Sequence, residues 1–552
     1  MKKLLLVSLF SAFCICLFSQ ANSNLFYWIK FKDKSHNPYT VNNPSQFLSQ
    51  KSIERRANQD IAIDSTDLPL TPAYIDSIAP FITNLVHRLK WFNIAVVEID
   101  DTINATSITN SIKQFSFVDS IAPIAFFPYK LYLNKFETVH AVNQQIVYPN
   151  TYGASYHQIS RLNADLLHQL GYRGQGIILS MMDNGFYNAD TIAAFDSVRP
   201  RILATWDFVH NQQNVYTDGG HGTSTFSCIA ANLPGHYLGT APDANFFLLQ
   251  SEDNDAEWVM EEYNWAAAAE MADSGGAQIF STSLGYTVFN NGIGSHTYAD
   301  LNGNKTIITQ AGNIAFSKGI LVITSAGNEG NSSWHYIAAP GDGDSILTIG
   351  AVDDIDTIAS FSSRGPNSAG RIKPDVCSQG LNSAVIATDG TVTASSGTSF
   401  SCPIMAGCAA SLWSAFPEKS AKEIKEAIIV SADRFWSPDN NYGYGIPNFY
   451  NAYLLLKTGY NGNILHINDD VAVYPNPFSN QLNVSLYSSE GKNHTIEIFD
   501  LSGRKVLSKQ IYIRANTFEI LNIYEVSSLA AGEYILRYDT QKKYSHRIIK
   551  AK

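Results

Sequence analysis

Between residues 152 and 458, short and almost wholly apolar runs recur with helix-like stretches between them, a rhythm that leaves few folds open. The runs are Ile177-Ile178-Leu179-Ser180-Met181, Phe246-Phe247-Leu248-Leu249, Gln278-Ile279-Phe280-Ser281, Ile320-Leu321-Val322-Ile323 and Ile346-Leu347-Thr348-Ile349. A strand with one wet face alternates apolar and polar residues, whereas a strand apolar on both sides must be covered on both. Helical patterns supply the covers, among them 258–271, and 306–318 with Gly319 beyond its end. The expected fold class is therefore α/β: a three-layer α/β/α domain around a parallel sheet, over 151–458. In such sheets function collects at the carboxyl ends of the strands.

The flanks read differently. Lys2 and Lys3 precede an apolar run from Leu4 to Phe18, followed by Ser19-Gln20-Ala21-Asn22-Ser23. This is the pattern of a secretory signal peptide, placed at 1–20. The run falls short of the roughly 20 residues a membrane span needs, and no later stretch is apolar enough, so no transmembrane segment is expected. Residues 21–150 hold a small α+β unit and its junction. Its strands are expected at 25–29 and 91–97, with 115–118 extended, and its helices after Pro44 and over 106–113. Arg55-Arg56 falls inside the first helix and reads as a solvated face rather than a processing site. A polar, glycine-bearing linker is placed at 459–469. From 470 to 552 apolar residues alternate at Leu482, Val484 and Leu486 and at Ile496 and Ile498, which predicts a β-sandwich.

At 552 residues the chain is too long for one core. Its net charge of −11 argues against nucleic acid as a partner. Charged residues make up 16%, below the roughly 25% of typical soluble domains, a composition that suits an extracytoplasmic protein. Two of the six cysteines, Cys14 and Cys16, leave with the signal segment. Cys402 and Cys408 lie six positions apart on one predicted helix, a rise of about 9 Å that no disulfide bridges. With Cys228 and Cys377 they are expected to be buried small hydrophobes.

Four segments carry residues suited to chemistry. The first apolar strand runs into Asp183-Asn184-Gly185, where a carboxylate can orient a histidine or simply begin a turn. Gly219-Gly220-His221-Gly222-Thr223 opens a small-residue helix that would fix the imidazole's direction. Ser396-Gly397-Thr398-Ser399 opens an apolar helix. Pro403 suits only a first turn, which sets Ser399 at the positive helix end, as nucleophile or as cap. The strand ending at Thr324 leads into Ser325-Ala326-Gly327-Asn328-Glu329-Gly330, whose asparagine amide can face developing negative charge or close a turn.

Taken together, in the order Asp, His, Ser, these segments resemble the subtilisin-like serine peptidases over about 300 residues. Ser283-Leu284-Gly285, Phe361-Ser362-Ser363-Arg364-Gly365-Pro366 and Lys373-Pro374-Asp375-Val376 add to the likeness. The resemblance implies an endopeptidase made as a preproenzyme, a zymogen. Ser399 would be the nucleophile, His221 general base and then acid, Asp183 its orienter and Asn328 the oxyanion donor. Ser283, Leu284 and Gly285 would pair with the backbone of a protein or peptide substrate, and Ala326 and Gly327 would line the pocket for the residue before the scissile bond. Asn184 departs from the family's usual Thr or Ser, Phe400-Ser401-Cys402 from Met-Ala-Ser or Met-Ala-Thr, and Cys377-Ser378-Gln379-Gly380 from Ala-Pro-Gly.

The N-terminal unit resembles the family's ferredoxin-like propeptides, which implies an intramolecular folding aid and inhibitor. Tyr474-Pro475-Asn476-Pro477-Phe478, Asp500-Leu501-Ser502-Gly503-Arg504, Leu529-Ala530-Ala531-Gly532-Glu533-Tyr534 and the basic end Lys550-Ala551-Lys552 resemble the type IX secretion sorting domain of Bacteroidetes. That likeness implies the type IX machinery as a partner and a secreted or surface-attached product. No cofactor is required. Calcium is common in the family, and Asp342, Asp344, Asp353, Asp354 and Asp356 are carboxylates that could bind it, but no complete ligand spacing can be read and none is assigned to a metal. Two rivals stand: the carboxyl peptidases, which use a glutamate where this chain has His221, and an adhesin built on an inactive peptidase scaffold.

Overall fold

The computed structural model describes residues 25–100, 104–124, 151–435, 437–458, 465–468, 471–488, 491–513, 517–539 and 543–551. The signal segment 1–20, the greater part of the junction before 150 and residues 459–464 of the linker lie outside the described residues. The chain divides into two compact units, Met1–Leu454 and Leu455–Lys552.

The first unit begins with β1 (Leu25–Phe31), α1 (Gln50–Asn58), α2 (Pro72–Ile78), β2 (Asn84–Leu89), β3 (Ile94–Ile99), α3 (Ala105–Lys113) and β4 (Val118–Pro123). The strands form one antiparallel sheet in the order β2-β3-β1-β4. β3 is buried along its whole length because both of its faces are covered. Ala95 and Val97 meet Tyr74, Ile78 and Ile112 of the unit's own helices. Ile94 and Val96 belong to a core shared with the next domain.

That domain is built on β5 (Ile178–Asp183), β6 (Ile202–Asp207), α4 (Gly220–Ala230), β7 (Asn245–Gln250), α5 (Met260–Gly275), β8 (Ile279–Thr282), α6 (Ile307–Ser317), β9 (Leu321–Ser325), β10 (Leu347–Val352), β11 (Val376–Gln379) and α7 (Thr398–Ser414). Its seven strands are parallel, in the order β11-β10-β9-β8-β5-β7-β6. The α/β expectation holds. Alternate strand residues (Ile178, Met182, Leu249, Phe280, Val322) pack with Trp265, Ala269, Ile308 and Ala311 of α5 and α6. The opposite face carries α4 and α7, where Cys402 Sγ reaches the carbonyls of Thr282 and Ile323. The four cysteines outside the signal segment are buried thiols.

α1 lies against α5, and here one expectation is overturned: Arg55-Arg56 is a buried ionic centre, not a solvated face. Arg55 Nη2 lies 2.5 Å from Asp273 Oδ1 and Arg56 Nη2 2.9 Å from the same oxygen, with Asp67 2.7 Å from Arg56. Lys90 and Lys318 complete the cluster on Asp273 and Asp67. Asp67 and Ser52 are near in the chain, but Asp273, Ala277 and Lys318 lie more than 200 positions away, so the pair's own neighbourhood could not disclose their burial.

His87 of β2 is buried at the same interface, with Nε2 2.7 Å from Asn264 Oδ1. The Asn264 amide nitrogen donates to the Ser251 carbonyl, so the facing atom is oxygen and His87 Nε2 carries the hydrogen. Burial pushes its pKa down to about 4. The folded value lies below the ordinary 6.5, so the neutral ring's contribution is complete above pH 6.5 and is lost as pH falls toward 4. Glu270, which burial first of all raises to about 7, acts in the opposite sense: its contribution is complete below pH 4.5 and lost as pH rises through 7. His87→Gln keeps an N–H donor without titrating. In the intact precursor it is expected to shrink the fall in Tm between pH 6.5 and 4, and an unchanged fall contradicts this account.

In the second unit Leu465–Asn468 forms β12 where a linker is expected. It is followed by β13 (Val471–Tyr474), β14 (Leu482–Ser488), β15 (Lys492–Asp500), β16 (Lys505–Ile513), β17 (Thr517–Ile523), β18 (Gly532–Asp539) and β19 (Lys543–Lys550). Two antiparallel sheets, β12-β13-β14-β17 and β16-β15-β18-β19, enclose a core of Val473, Val484, Leu486, Ile496, Ile498, Leu536 and Ile548. This is the expected sandwich.

Candidate functional site

Asp183 ends β5, and His221 lies in the first turn of α4. The two elements meet closely because residue 222 is glycine: a Cβ there would stand 2.0 Å from the Gly185 carbonyl oxygen. His221 Nδ1 is then 2.7 Å from Asp183 Oδ1. The carboxylate is fully buried and also accepts the Asn184 N–H at 2.8 Å and the Thr225 hydroxyl at 2.9 Å. A carboxylate facing Nδ1 assigns that nitrogen the hydrogen and makes Nε2 the basic one.

Ser399 is the second residue of α7, at the end where the helix's positive pole lies. The expectation that Pro403 lies in the first turn is corrected, because α7 already begins at Thr398 and Pro403 sits inside it. Lacking an N–H, Pro403 cannot bond the carbonyl four residues back, which belongs to Ser399. The Ser283 hydroxyl donates to that carbonyl instead, at 2.9 Å, tying the end of β8 to the nucleophile candidate. Ser399 Oγ itself stands 3.4 Å from the Ser283 carbonyl oxygen. Three residues on, burial raises the Cys402 thiol to about 12, so it is no competing nucleophile.

Asn328 follows β9. Its Oδ1 accepts both the N–H and the hydroxyl of Thr398, each at 2.9 Å. A backbone N–H can only donate, so this end of the amide is oxygen and the NH2 points the other way. Gly327 holds φ +101, and a Cβ there would stand 2.4 Å from Glu329 Oε2. His221, Ser283, Leu284, Gly285, Gly327, Asn328 and Ser399 all line one cavity of about 100 Å³. Ala326 does not line it: it is buried, its N–H donating to Ile349 and its carbonyl accepting from Ala338.

Sequence reasoning missed several residues of this region. Thr398 orients Asn328 and Thr225 holds Asp183. Asn184 accepts the Gly222 N–H and donates to Asn254, which in turn donates to Asp218. Glu252, Glu257 and Glu329 line the cavity. The acidic run from Glu252 to Glu257 was the signal available for the first two of these carboxylates.

Four of the five carboxylates considered for calcium have protein partners of their own. Asp342 accepts the Gly303 N–H and the Thr309 hydroxyl, Asp344 pairs with Arg371, Asp353 accepts the N–H groups of Ile355 and Thr357, and Asp356 pairs with Arg161. Among the described residues no group of three or more His, Cys, Asp or Glu is placed to hold a metal ion, and no helix is long and apolar enough to cross a membrane.

Comparison with known proteins adds three matches along the chain. Residues 174–445 match the Subtilase family, peptidase S8. Residues 26–137 match the Peptidase S8 propeptide domain of Bacteroidota, and residues 472–551 match a Secretion system C-terminal sorting domain. The chain is 30% identical over 315 residues to the serine protease AprX of Bacillus subtilis, covering 50% of this chain and 66% of that protein. It is 27% identical over 345 residues to subtilisin E of the same organism, covering 61% and 81%. The crystal structure of MycP1 from Mycobacterium smegmatis aligns with a TM-score of 0.46 at 19% identity, over 59% of this chain and 89% of that one.

Proposed function

In a chain whose residues 174–445 belong to the subtilase family, we propose that Asp183, His221 and Ser399 form the catalytic triad of a serine endopeptidase. The protein is an exported serine-type peptidase carrying its own propeptide and a secretion sorting domain. Ser399 Oγ attacks the substrate carbonyl carbon while His221 Nε2 takes its proton. The resulting oxyanion meets the Asn328 amide and the Ser399 N–H. His221 then returns the proton to the leaving amine, and water hydrolyses the acyl-enzyme by the same route. Ser283 to Gly285 hold the substrate backbone as an added strand. The N-terminal unit inhibits its own peptidase domain until it is removed, and the sorting domain engages the type IX machinery.

The observation that carries this reading is the 2.7 Å contact between a fully buried Asp183 and His221, in a cavity that Ser399 also lines. The purified mature protein is to be treated with a fluorophosphonate and peptide-mapped. Label on Ser399 supports the reading. A protein that is never labelled and cleaves no unfolded substrate would instead be a binding scaffold. Asn328→Ala is expected to lower kcat about 10²- to 10³-fold with little change in KM. A change confined to KM would remove Asn328 from the oxyanion role.

A further inference from the structure

Ser283 to Gly285 run directly into Tyr286, and the segment from there to His296 is closed into a loop. Tyr286 is fully buried and exchanges both backbone bonds with Ala339, its N–H donating at 2.8 Å and its carbonyl accepting at 3.1 Å. The Phe289 ring stacks on Tyr286 with centroids 5.6 Å apart, and the His296 ring meets Phe289 at 5.4 Å in a T-shaped contact. The His296 N–H returns to the Thr287 carbonyl at 2.8 Å, and the Phe289 N–H donates to Ser295 Oγ at 2.9 Å. Val288 and Ile293, the loop's other large apolar side chains, are exposed. The packing of the loop therefore rests on one row of rings: Tyr286, Phe289 and His296.

Charge fixes the far end of that row. His296 Nε2 stands 2.5 Å from Glu262 Oε1, and the two side chains are 14% and 2% exposed. Glu262 belongs to the first turn of α5, and its other oxygen accepts the N–H of Ile308, in the first turn of α6, at 3.2 Å. Loop, α5 and α6 thus meet on one buried carboxylate. Burial alone would lower the His296 pKa, but the bond to Glu262 and the charges of Glu262, Asp300 and Asp342 carry it above the ordinary 6.5. Asp300 is paired with Lys305, and Asp342 accepts the Gly303 N–H and the Thr309 hydroxyl, so the direct partner of the ring is Glu262. The folded value is raised, so the contribution of this pair is complete below pH 6.5 and is lost as pH rises through that value. Deprotonation removes the ion pair and leaves one neutral N–H facing the carboxylate, a weaker tether.

Resting on the peptidase reading above, we propose that His296 is a positioning residue for substrate binding. Paired with Glu262, it holds the row of rings, and through Tyr286 it holds Ser283 to Gly285 where they receive the substrate backbone. The tether is tight while the imidazole is protonated and slackens in alkali. His296 acts through other residues and touches no reacting atom, so its effect falls on affinity and leaves the chemical step alone. A strand held by main-chain hydrogen bonds is bound in the same way whatever its side chains, so the effect is shared by all peptide substrates.

The test uses the mature enzyme and a peptide amide, whose slow chemistry lets KM report binding, with kcat and KM measured separately across pH. In the wild type KM is expected to rise about three- to tenfold between roughly pH 6 and 9. His296→Gln keeps an N–H donor that does not titrate, so its KM should be flat and close to the alkaline wild-type value. Glu262→Gln still accepts the Ile308 N–H but carries no charge, so the step in KM should move to lower pH. The pH profile of kcat, which His221 sets on the proposed mechanism, should coincide in all three enzymes. Either variant alone decides the matter, since each must move the step. A wild-type KM that does not change with pH, a step that survives unmoved in either variant, or a change confined to kcat overturns the proposal while leaving the peptidase reading intact. If neither the peptide nor an unfolded protein is cleaved at any pH, it is the peptidase reading that fails, and this inference with it.

Discussion

Ser399→Ala is expected to lower kcat by about 10⁶-fold while KM stays within a few-fold. The reason lies in how the groups divide the work under the proposed mechanism. Substrate alignment along Ser283 to Gly285 and the Asn328 amide are untouched by the loss of one hydroxyl, so binding survives. The covalent route through an acyl-enzyme does not survive, because His221 then has no oxygen nucleophile whose proton it can accept. Residual turnover reflects water attack on a carbonyl still polarised by the oxyanion donors, about 10³- to 10⁴-fold above the uncatalysed rate. His221→Ala should cost a similar factor, and the double variant little more than either single one, because groups acting as a unit are not additive. A Ser399→Ala enzyme within tenfold of wild type in kcat would remove Ser399 from the chemistry.

The second large effect is expected far from the cleft. Asp273 is fully buried between Arg55, Arg56 and Lys90. Burial alone would raise its pKa, but Lys90, Arg55 and Arg56 hold it below the usual carboxylate range. Asp273→Asn leaves two buried guanidinium groups without their shared anion, and breaking a buried pair by removing one partner typically costs about 3–5 kcal/mol. The substitution is best made in full-length Ser399→Ala precursor, which on the proposed mechanism lacks the nucleophile to cut itself. Chemical denaturation should show a loss of that size, with earlier proteolysis of the N-terminal unit than of the peptidase domain. Exchanging the whole cluster for apolar residues should be far milder, since the ions must first be taken out of water to form it. A loss below about 1 kcal/mol for Asp273→Asn would show that the cluster is hydrated and holds nothing together.

The contrast between these two sites explains what could be read in the chain. Strands covered on both faces announce themselves, as Ile177 to Met181 and Ile320 to Ile323 do. The strands the sequence hid are the sheet edges. β6 (Ile202–Asp207) leaves Leu203 51% exposed and mixes polar with apolar residues, and β11 (Val376–Gln379) is four residues long with a polar half. β2 was hidden for a related reason, since Asn84-Leu85-Val86-His87-Arg88-Leu89 buries His87 against a helix nearly 180 positions away. In the cleft, Asp183, His221, Asn328 and Ser399 stand in short segments whose order is informative. Thr225, Thr398 and Asn254 could not be found that way, because each matters through hydrogen bonds to residues distant in the chain. Glu329 stood in plain view beside Asn328, yet only the close approach of Gly327 places its carboxylate in the pocket wall.

The central claim is that the Ser399 oxygen becomes acylated during turnover. The direct measurement is acid quenching of the mature enzyme within milliseconds of mixing with an activated ester, followed by mass mapping of the peptide containing residue 399. The mechanism predicts one acyl group on Ser399, formed at a rate that falls when His221 is replaced and absent from Ser399→Ala. An acyl group found on another residue, or hydrolysis at the wild-type rate by Ser399→Ala, would contradict it.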